Sequence, residues 1–198
     1  MNSMHRSTRL IGIVVMALAY MVIGCAKPPT EEIAAAQATI DSVKALPDVQ
    51  TYAMDGVSDA EQSLARVRQL SQEERYDEAR AGLPGVFSKA RASVGAAAAA
   101  KEAARVAAER AIADAKAAIA AAEEKIPQAP RWGKGAIRDR SVLHADVAAA
   151  KADVEAAEAA FGMLDYRGAS AKARSGMSKA SVVTQAVDDA LALRSRPR

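Results

Sequence analysis

The stretch VFSKARASVGAAAAAKEAARVAAERAIADAKAAIAAAEEKI, residues 86–126, decides the fold of this chain. Its commonest residue is alanine, which forms helix best because it loses no side-chain entropy there. Charged residues are spread through the stretch, and after Cys25 no segment alternates apolar and polar residues as a half-buried strand would. We therefore predict an all-α protein of elongated, alanine-rich helical hairpins or a bundle, with no β-sheet.

Prolines and glycines divide the chain into predicted helices. Pro47 and Pro127 end two of them, and Gly82-Leu83-Pro84-Gly85 should kink or interrupt a third. The segment 128–135 holds Pro130, Trp132 and two glycines, which predicts a loop. The predicted helices span about 31–46, 55–70, 76 onward, 86–126, 137–161 and 166–193.

An internal repeat is the most informative feature of the organisation. Tyr76, Ala79, Phe87 and Ser88-Lys89-Ala90 recur 90 residues later as Tyr166, Ala169, Met177 and Ser178-Lys179-Ala180. The segment 36–40 resembles 115–119 in the same way, at an offset of 79. We predict a duplication with repeats over 31–126 and 127–198 that share the long central helix. A chance alignment of alanines is the alternative. If the repeat is genuine, both tyrosines should open a helix after a tight turn and pack on the preceding helix.

The N-terminus has the layout of a secretory signal over residues 1–24. Residues 1–9 contain Arg6, Arg9 and no acid, and an uncharged apolar run of 15 residues, 10–24, follows them. That run is shorter than the ~18–20 residues that span a bilayer comfortably, although a retained membrane anchor is the alternative. Cleavage would leave 25 basic and 24 acidic residues, so the balance of 27 to 24 in the whole chain does not indicate a nucleic-acid partner.

The end of the apolar run, Val22-Ile23-Gly24-Cys25, resembles the lipobox of bacterial lipoproteins. The resemblance implies diacylglycerol on the thiol of Cys25 and an acyl chain such as palmitate on its amino group. It therefore implies a protein anchored to a membrane by lipid. Ala26, where an aspartate would favour the inner membrane, resembles outer-membrane sorting facing the periplasm. Residues 25–30, with Pro28 and Pro29, are predicted to form an extended, lipidated tether.

Residues 22–120 resemble the alanine-rich bacterial lipoproteins grouped as domain of unknown function 4398. The shared pattern is the lipobox, a proline-rich tether, an alanine-rich helix and helices spaced by a turn that ends in Tyr-x-x-Ala, here Tyr76 to Ala79. The family brings no known activity. Tyr76-x-x-Ala79-x-x-x-Leu83 is also similar to the second helix of a tetratricopeptide unit, but the first-helix signature is missing. The small murein lipoprotein ends in a lysine linked to peptidoglycan; this chain ends in Arg198, so no such linkage is expected.

Residues with reactive side chains do not form a recognisable catalytic or metal site. His144 shares a predicted helix face with Ser141, near Asp146, but the sequence shows neither a nucleophile turn nor an oxyanion hole. The pairs Glu31-Glu32, Glu73-Glu74 and Glu123-Glu124 resemble solvated helix ends, and Gly133-Lys134-Gly135 lacks the rest of a phosphate loop. We predict no enzyme, no metal and no cofactor.

Trp132 and its neighbour Arg131 are the candidate partner contact. A large aromatic beside a basic residue on a loop can anchor a protein partner or enter a headgroup region, and a plug packed on the helices is the alternative. Arg194, Arg196 and Arg198 could touch anionic headgroups or cell-wall polymer, although frayed ends are often basic. We predict a non-enzymatic envelope lipoprotein that is a structural or protein-interaction module. The alternative is an accessory or binding subunit of an envelope assembly or transport machine, which a groove lined by Tyr52, Trp132 or Tyr166 would favour.

Overall fold

The computed structural model describes residues 27–137 and 139–195. These residues contain helices and no strand, so the all-α prediction is confirmed. The α-helices are α1 (Thr30–Lys44), α2 (Pro47–Tyr52), α3 (Met54–Gln72), α4 (Tyr76–Lys125), α5 (Ser141–Gly162) and α6 (Tyr166–Ser195), and a 3-10 helix spans Ile126–Gln128. Within the described ranges, no helix is both long enough and apolar enough to span a bilayer. The predicted lipobox Val22, Ile23 and Gly24, the lipidation site Cys25, and Arg196 and Arg198 lie outside the described residues.

Two helix boundaries differ from the prediction. The expected connection after Pro47 is itself the short helix α2, with the proline in its first turn, where a missing N–H removes no helical hydrogen bond. The Gly82–Gly85 segment does not interrupt α4, which continues through Pro84. Pro84 is exposed, whereas Leu83 and Val86 beside it are buried. Packing of those neighbours offsets the ~3 kcal/mol that a proline costs inside a helix.

The chain divides into two compact units, one ending at Val94 and the other beginning at Gly95, both inside α4. In the first unit α1, α2, α3 and the start of α4 surround a core that includes Ile40, Leu64 and Val86. Its helices are joined at the surface by an ion pair between Lys44 and Glu61 (N···O 2.7 Å).

The segment before α1 belongs to this first unit. Pro29 is fully buried, and the guanidinium of Arg80 donates a hydrogen bond to the carbonyl oxygen of Lys27 at 2.5 Å. Of the residues 25–30 predicted to form a tether, residues 27–29 precede α1 without helical structure and lie against the first unit at Pro29 and Lys27. The rest of the tether prediction falls partly on Cys25 and Ala26, which lie outside the described residues.

In the second unit the rest of α4 packs with α5 and α6. Their shared core is made of small side chains with a few larger ones, Ile119, Ile126, Leu143, Val147, Val154, Val183 and Val187 among them. Because alanine and glycine are small, the helices approach closely: a Cβ added at Gly176 of α6 would lie 2.8 Å from the carbonyl oxygen of Ala150 on α5. Ion pairs between helices border this core, with N···O distances of 2.6–2.8 Å for Lys116–Glu158, Lys151–Glu123 and Lys179–Asp153; Lys125 also pairs with Asp188.

The turns before the two tyrosines have the same backbone hydrogen bonds. In both, the helix ends in a Schellman motif, whose amide hydrogens satisfy the last helical carbonyls. In the first turn the bonds are Glu73 N–H to Gln69 O, Glu74 N–H to Ser71 O and Arg75 N–H to Leu70 O; in the second they are Met163 N–H to Ala159 O, Leu164 N–H to Phe161 O and Asp165 N–H to Ala160 O. Each of these donors and acceptors is displaced by 90 residues from one turn to the other, so the two turns have equivalent backbone geometry, as the predicted repeat requires.

Both tyrosines open a helix after a tight turn, as predicted. Tyr166 is 7% exposed, and its ring packs on Phe161 with a centroid distance of 5.1 Å and an interplanar angle of 57°. Ala104, Ala108, Ala160 and Ala169 complete that cluster. Tyr76, by contrast, is only half-buried. The two positions are equivalent in the backbone but differ in how much area they bury.

Candidate functional site

The Trp132 loop, defined as residues 129–137, is held by contacts at both of its ends. Ala129 and Pro130 are buried where the loop begins. Where it ends, Ile137 packs against the core of the second unit and donates its N–H to the carbonyl oxygen of Pro130 at 2.8 Å. The base of the loop is therefore closed by a backbone hydrogen bond and anchored by apolar burial.

Glycine is required where the loop passes the end of α6. Gly135 has φ +72°, and a Cβ at this position would lie 2.5 Å from the carbonyl oxygen of Ala190 and 3.1 Å from Cβ of Leu193. A side chain would be opposed both by the left-handed backbone and by the neighbouring helix. Gly133, at φ +87°, meets open space. The loop thus turns at Gly133 and lies against α6 at Gly135.

Arg140 and Asp139 connect the loop to α5. The guanidinium of Arg140 donates to the carbonyl oxygens of Ala129 and, at 3.3 Å, of Pro127. The carboxylate of Asp139 accepts a hydrogen bond from the N–H of Ser141 at 2.8 Å. The hydroxyl and the N–H of Ser141 hold the pKa of Asp139 below its ordinary value, so this carboxylate is ionised at neutral pH and stabilises the start of the helix.

Trp132 itself projects into solvent. Its side chain is 83% exposed, so the alternative of a plug packed on the helices is wrong. Arg131 and Lys134 are exposed as well. The structure therefore leaves a large apolar side chain in water on a loop whose base is closed by a backbone hydrogen bond.

Exposed apolar and basic side chains also occur on the helices that adjoin the Trp132 loop. Leu193 lies against Gly135 of the loop, and both Leu193 and Val142, which is in the first turn of α5, are exposed. Arg194 is exposed in the last turn of α6. This end of the second unit therefore combines exposed apolar side chains with positive charge.

The structure does not assemble the residues considered for chemistry into a catalytic site. Ser141 and His144 are both exposed, and no hydrogen bond in the described ranges joins their side chains. The glutamates of the three Glu-Glu pairs are exposed, and one from each pair forms an ion pair: Glu32 with Arg80 (3.7 Å), Glu73 with Arg75 (3.0 Å) and Glu123 with Lys151 (2.7 Å). Across the described residues, no group of three or more His, Cys, Asp or Glu side chains could hold a metal ion.

A pocket that the sequence analysis did not identify opens between α4 and α6 in the second unit. Its volume is about 330 Å³, and its lining includes Tyr166, Ser170 and Arg174 from α6. A second pocket of about 240 Å³ shares Arg174 and adds Arg110, Asp114 and Met177. The sequence does contain one sign of this pocket. Tyr166, Ser170 and Arg174 are spaced four residues apart, which places them in one row on a helix. Of the three aromatic residues considered for a groove, Tyr166 lines one.

Comparisons of this chain with known protein families, with curated proteins and with solved structures gave no match. The class of protein is defined by the fold: an all-α chain of two compact units, each of which contains a tight turn that leads into a helix opened by a tyrosine.

Proposed function

We propose that this chain is a non-enzymatic envelope lipoprotein, anchored to a membrane through Cys25, that acts as an interaction module for a protein partner. The observation that carries the proposal is the 83% exposure of Trp132 on a loop that begins at the buried residues Ala129 and Pro130 and ends at Ile137, which packs on the core of the second unit. When a partner covers an exposed tryptophan, a large apolar area leaves water, which contributes favourable free energy to binding. Tryptophan is among the residues most enriched at the centres of interfaces.

The ordered loop favours binding because it lowers the entropic cost of association. Fixing a rotamer-rich side chain or a mobile loop costs ~0.5–1.5 kcal/mol for each group that is immobilised. Here the backbone is already held by the hydrogen bond between Ile137 and Pro130 and by the contact of Gly135 with α6. Trp132 has only two side-chain torsions left to order, so most of its apolar area contributes to affinity.

The basic residues beside Trp132 give the surface a preference in charge. Arg131, Lys134 and Arg194 are exposed, and none of them forms an ion pair with another described residue. Charges at the rim of an interface increase the rate of association and select partners of opposite sign. The proposed partner therefore presents an apolar pocket for Trp132 that is bordered by acidic side chains.

In-cell crosslinking tests the interaction. A photoreactive amino acid would replace Trp132 in the full chain, and a matched control would replace Val182, which is 60% exposed in α6. We expect a discrete crosslinked species from position 132 that is absent from position 182, and we expect Arg131→Glu to weaken it. Equal yields at the two positions, or none at position 132, would contradict the proposal.

Fatty-acid labelling tests the anchor separately. The lipobox ending at Cys25 places the only thiol of the chain at the cleavage site, and a thiolate is the side-chain nucleophile that lipid transfer requires. We expect Cys25→Ser to abolish palmitate labelling and to leave the precursor uncleaved, whereas Ser42→Ala should change neither. Labelling that persists in the Cys25→Ser chain would refute lipidation at this residue.

A further inference from the structure

We propose that the pocket between α4 and α6 binds a small organic anion: a carboxylate or a phosphate monoester that carries a compact apolar body. We call it the Ser170 pocket, and its lining is Ala104, Ala107, Tyr166, Arg167, Ser170, Ala171 and Arg174. All of these residues belong to the second unit. The site is separate from the Trp132 loop and does not depend on the function proposed for that loop.

Ser170 gives the first indication of a ligand. The residue is 9% exposed, and its hydroxyl has no hydrogen-bond partner among the described residues. Although the residue is nearly buried, its hydroxyl oxygen is not cut off from solvent, so it is open to the pocket that it lines. Because this hydroxyl lines the pocket, a ligand oxygen placed there can accept the hydrogen bond that the protein does not provide.

Arg174 gives the second indication, which is independent of the first. It lines both pockets and forms no ion pair with any described residue, although lysines elsewhere in the same unit are paired. Arg167 also lines the Ser170 pocket, and no carboxylate does. The guanidinium of Arg174, in a lining that holds no acid, favours an anionic group, and guanidinium matches the geometry of both carboxylate and phosphate.

The smaller neighbouring pocket limits where the anion can lie. There Arg110 faces Asp114 at an N···O distance of 3.8 Å, and that carboxylate opposes a second negative charge. The charged head of the ligand is therefore assigned to the Ser170 pocket, beside Arg174 and the hydroxyl of Ser170. Met177 makes the adjoining part of the groove more apolar.

The size and apolar lining of the pocket define the rest of the ligand. About 330 Å³ is at the small end of the range for small-molecule sites, which is ~300–1,000 Å³. The lining also includes Ala104, Ala107 and Ala171, which offer apolar contact and no side-chain hydrogen bonds. A ligand with one or two negative charges on its head and a body of about one ring matches both the polar and the apolar residues of the lining.

The repeat shows that this site is specific to the second unit. Ninety residues earlier, the positions of Tyr166, Ser170 and Arg174 hold Tyr76, Arg80 and Pro84. Arg80 is already engaged with Glu32 and with the carbonyl oxygen of Lys27. Ser170 and Arg174 therefore occur at positions where the second copy differs from the first. Helix packing that is common to both copies does not require them.

Calorimetric titration of the full chain in a neutral detergent tests the proposal. The probes are phenyl phosphate and benzoate, which differ in the charged head, and benzyl alcohol, which lacks the charge. The variants are Arg174→Gln and Ser170→Ala. The control is Lys172→Gln, an equal change of charge on the same helix at an exposed residue whose charge acts on Asp153 of α5.

We expect saturable binding of at least one of the two anions and none of benzyl alcohol. Arg174→Gln should weaken that binding about tenfold or more and Ser170→Ala about two- to tenfold, as lost charged and neutral hydrogen bonds do. Lys172→Gln should leave it unchanged, and the helical circular dichroism of all three variants should match that of the parent. The proposal is overturned if neither anion saturates, if benzyl alcohol binds equally well, or if Lys172→Gln and Arg174→Gln weaken binding equally.

Discussion

Truncation of the two repeated tyrosines should have unequal effects on stability. The sequence repeat alone predicts similar losses for Tyr76→Ala and Tyr166→Ala, but the structure separates them. Tyr166 is 7% exposed and packs on Phe161, with 5.1 Å between the ring centroids, whereas Tyr76 is half-buried. The larger loss is therefore expected at Tyr166.

The magnitude follows from burial and from the ring contact. Truncating a fully buried large aromatic costs ~3–5 kcal/mol, and a tilted aromatic pair contributes ~0.5–1.5 kcal/mol beyond its area. Tyr166 lines an open pocket, so its hydroxyl keeps some hydration and its loss should be about 3 kcal/mol. Tyr76 is only partly buried, which reduces the loss to roughly 1–2 kcal/mol.

Urea unfolding of the full chain, followed by circular dichroism, measures the two losses. Because the chain has two compact units, hydrogen exchange should accompany it to show which unit opens first. Tyr166→Phe is the control, since it keeps the ring and should remain within about 1 kcal/mol of the parent. The reasoning from burial is refuted if Tyr76→Ala destabilises the protein as much as Tyr166→Ala does. It is also refuted if Tyr166→Ala unfolds at the same urea concentration as the parent.

Two further predictions concern a turn and an ion pair. Leu164, like Glu74 in the other copy, has a left-handed backbone, with φ of 64° and 60°. Leu164→Gly should therefore raise the free energy of unfolding by about 0.5–1 kcal/mol in urea titrations, and an unchanged or lower value would refute strain there. The Lys179 ammonium and the Ser175 hydroxyl hold the pKa of Asp153 below its ordinary value, so the carboxylate stabilises the fold above about pH 4 and stops doing so as the pH falls through the lowered folded pKa. Thermal melts should show Asp153→Asn below the parent at pH 7, and the difference should shrink as the pH falls below about 4 through the lowered folded pKa; a difference independent of pH would contradict this.

The helical class and the tyrosine turns could be predicted from sequence because their signals are local. Alanine content sets helix propensity, and the Tyr-x-x-Ala spacing repeats without a gap, so Tyr76 and Tyr166 were placed at the first residues of α4 and α6. The continuity of α4 through Pro84 could not be predicted in this way. It depends on the burial of Leu83 and Val86, which is a property of packing.

The Trp132 loop was recognised from sequence, but its exposure was not. Proline, glycine and tryptophan together indicate a loop, yet the same composition fits a plug or an anchor, and only the packing of Ile137 and the contact of Gly135 with α6 decide between them. The Ser170 pocket was missed because it lies between α4 and α6, whose separation depends on which alanines face each other. The spacing of residues along one helix does not predict which residues of a neighbouring helix face them.

The continuity of α4 also affects how helix formation begins. Starting a helix is unfavourable because several residues must be ordered before the first hydrogen bond forms, whereas each later residue adds one bond as it is ordered. Since α4 runs without a break through Val94 and Gly95, a helical nucleus formed in one unit can extend into the other. Gly95 opposes that extension by about 1 kcal/mol relative to alanine, which is much less than the cost of a new nucleus. One nucleation event can therefore supply a helix to both units.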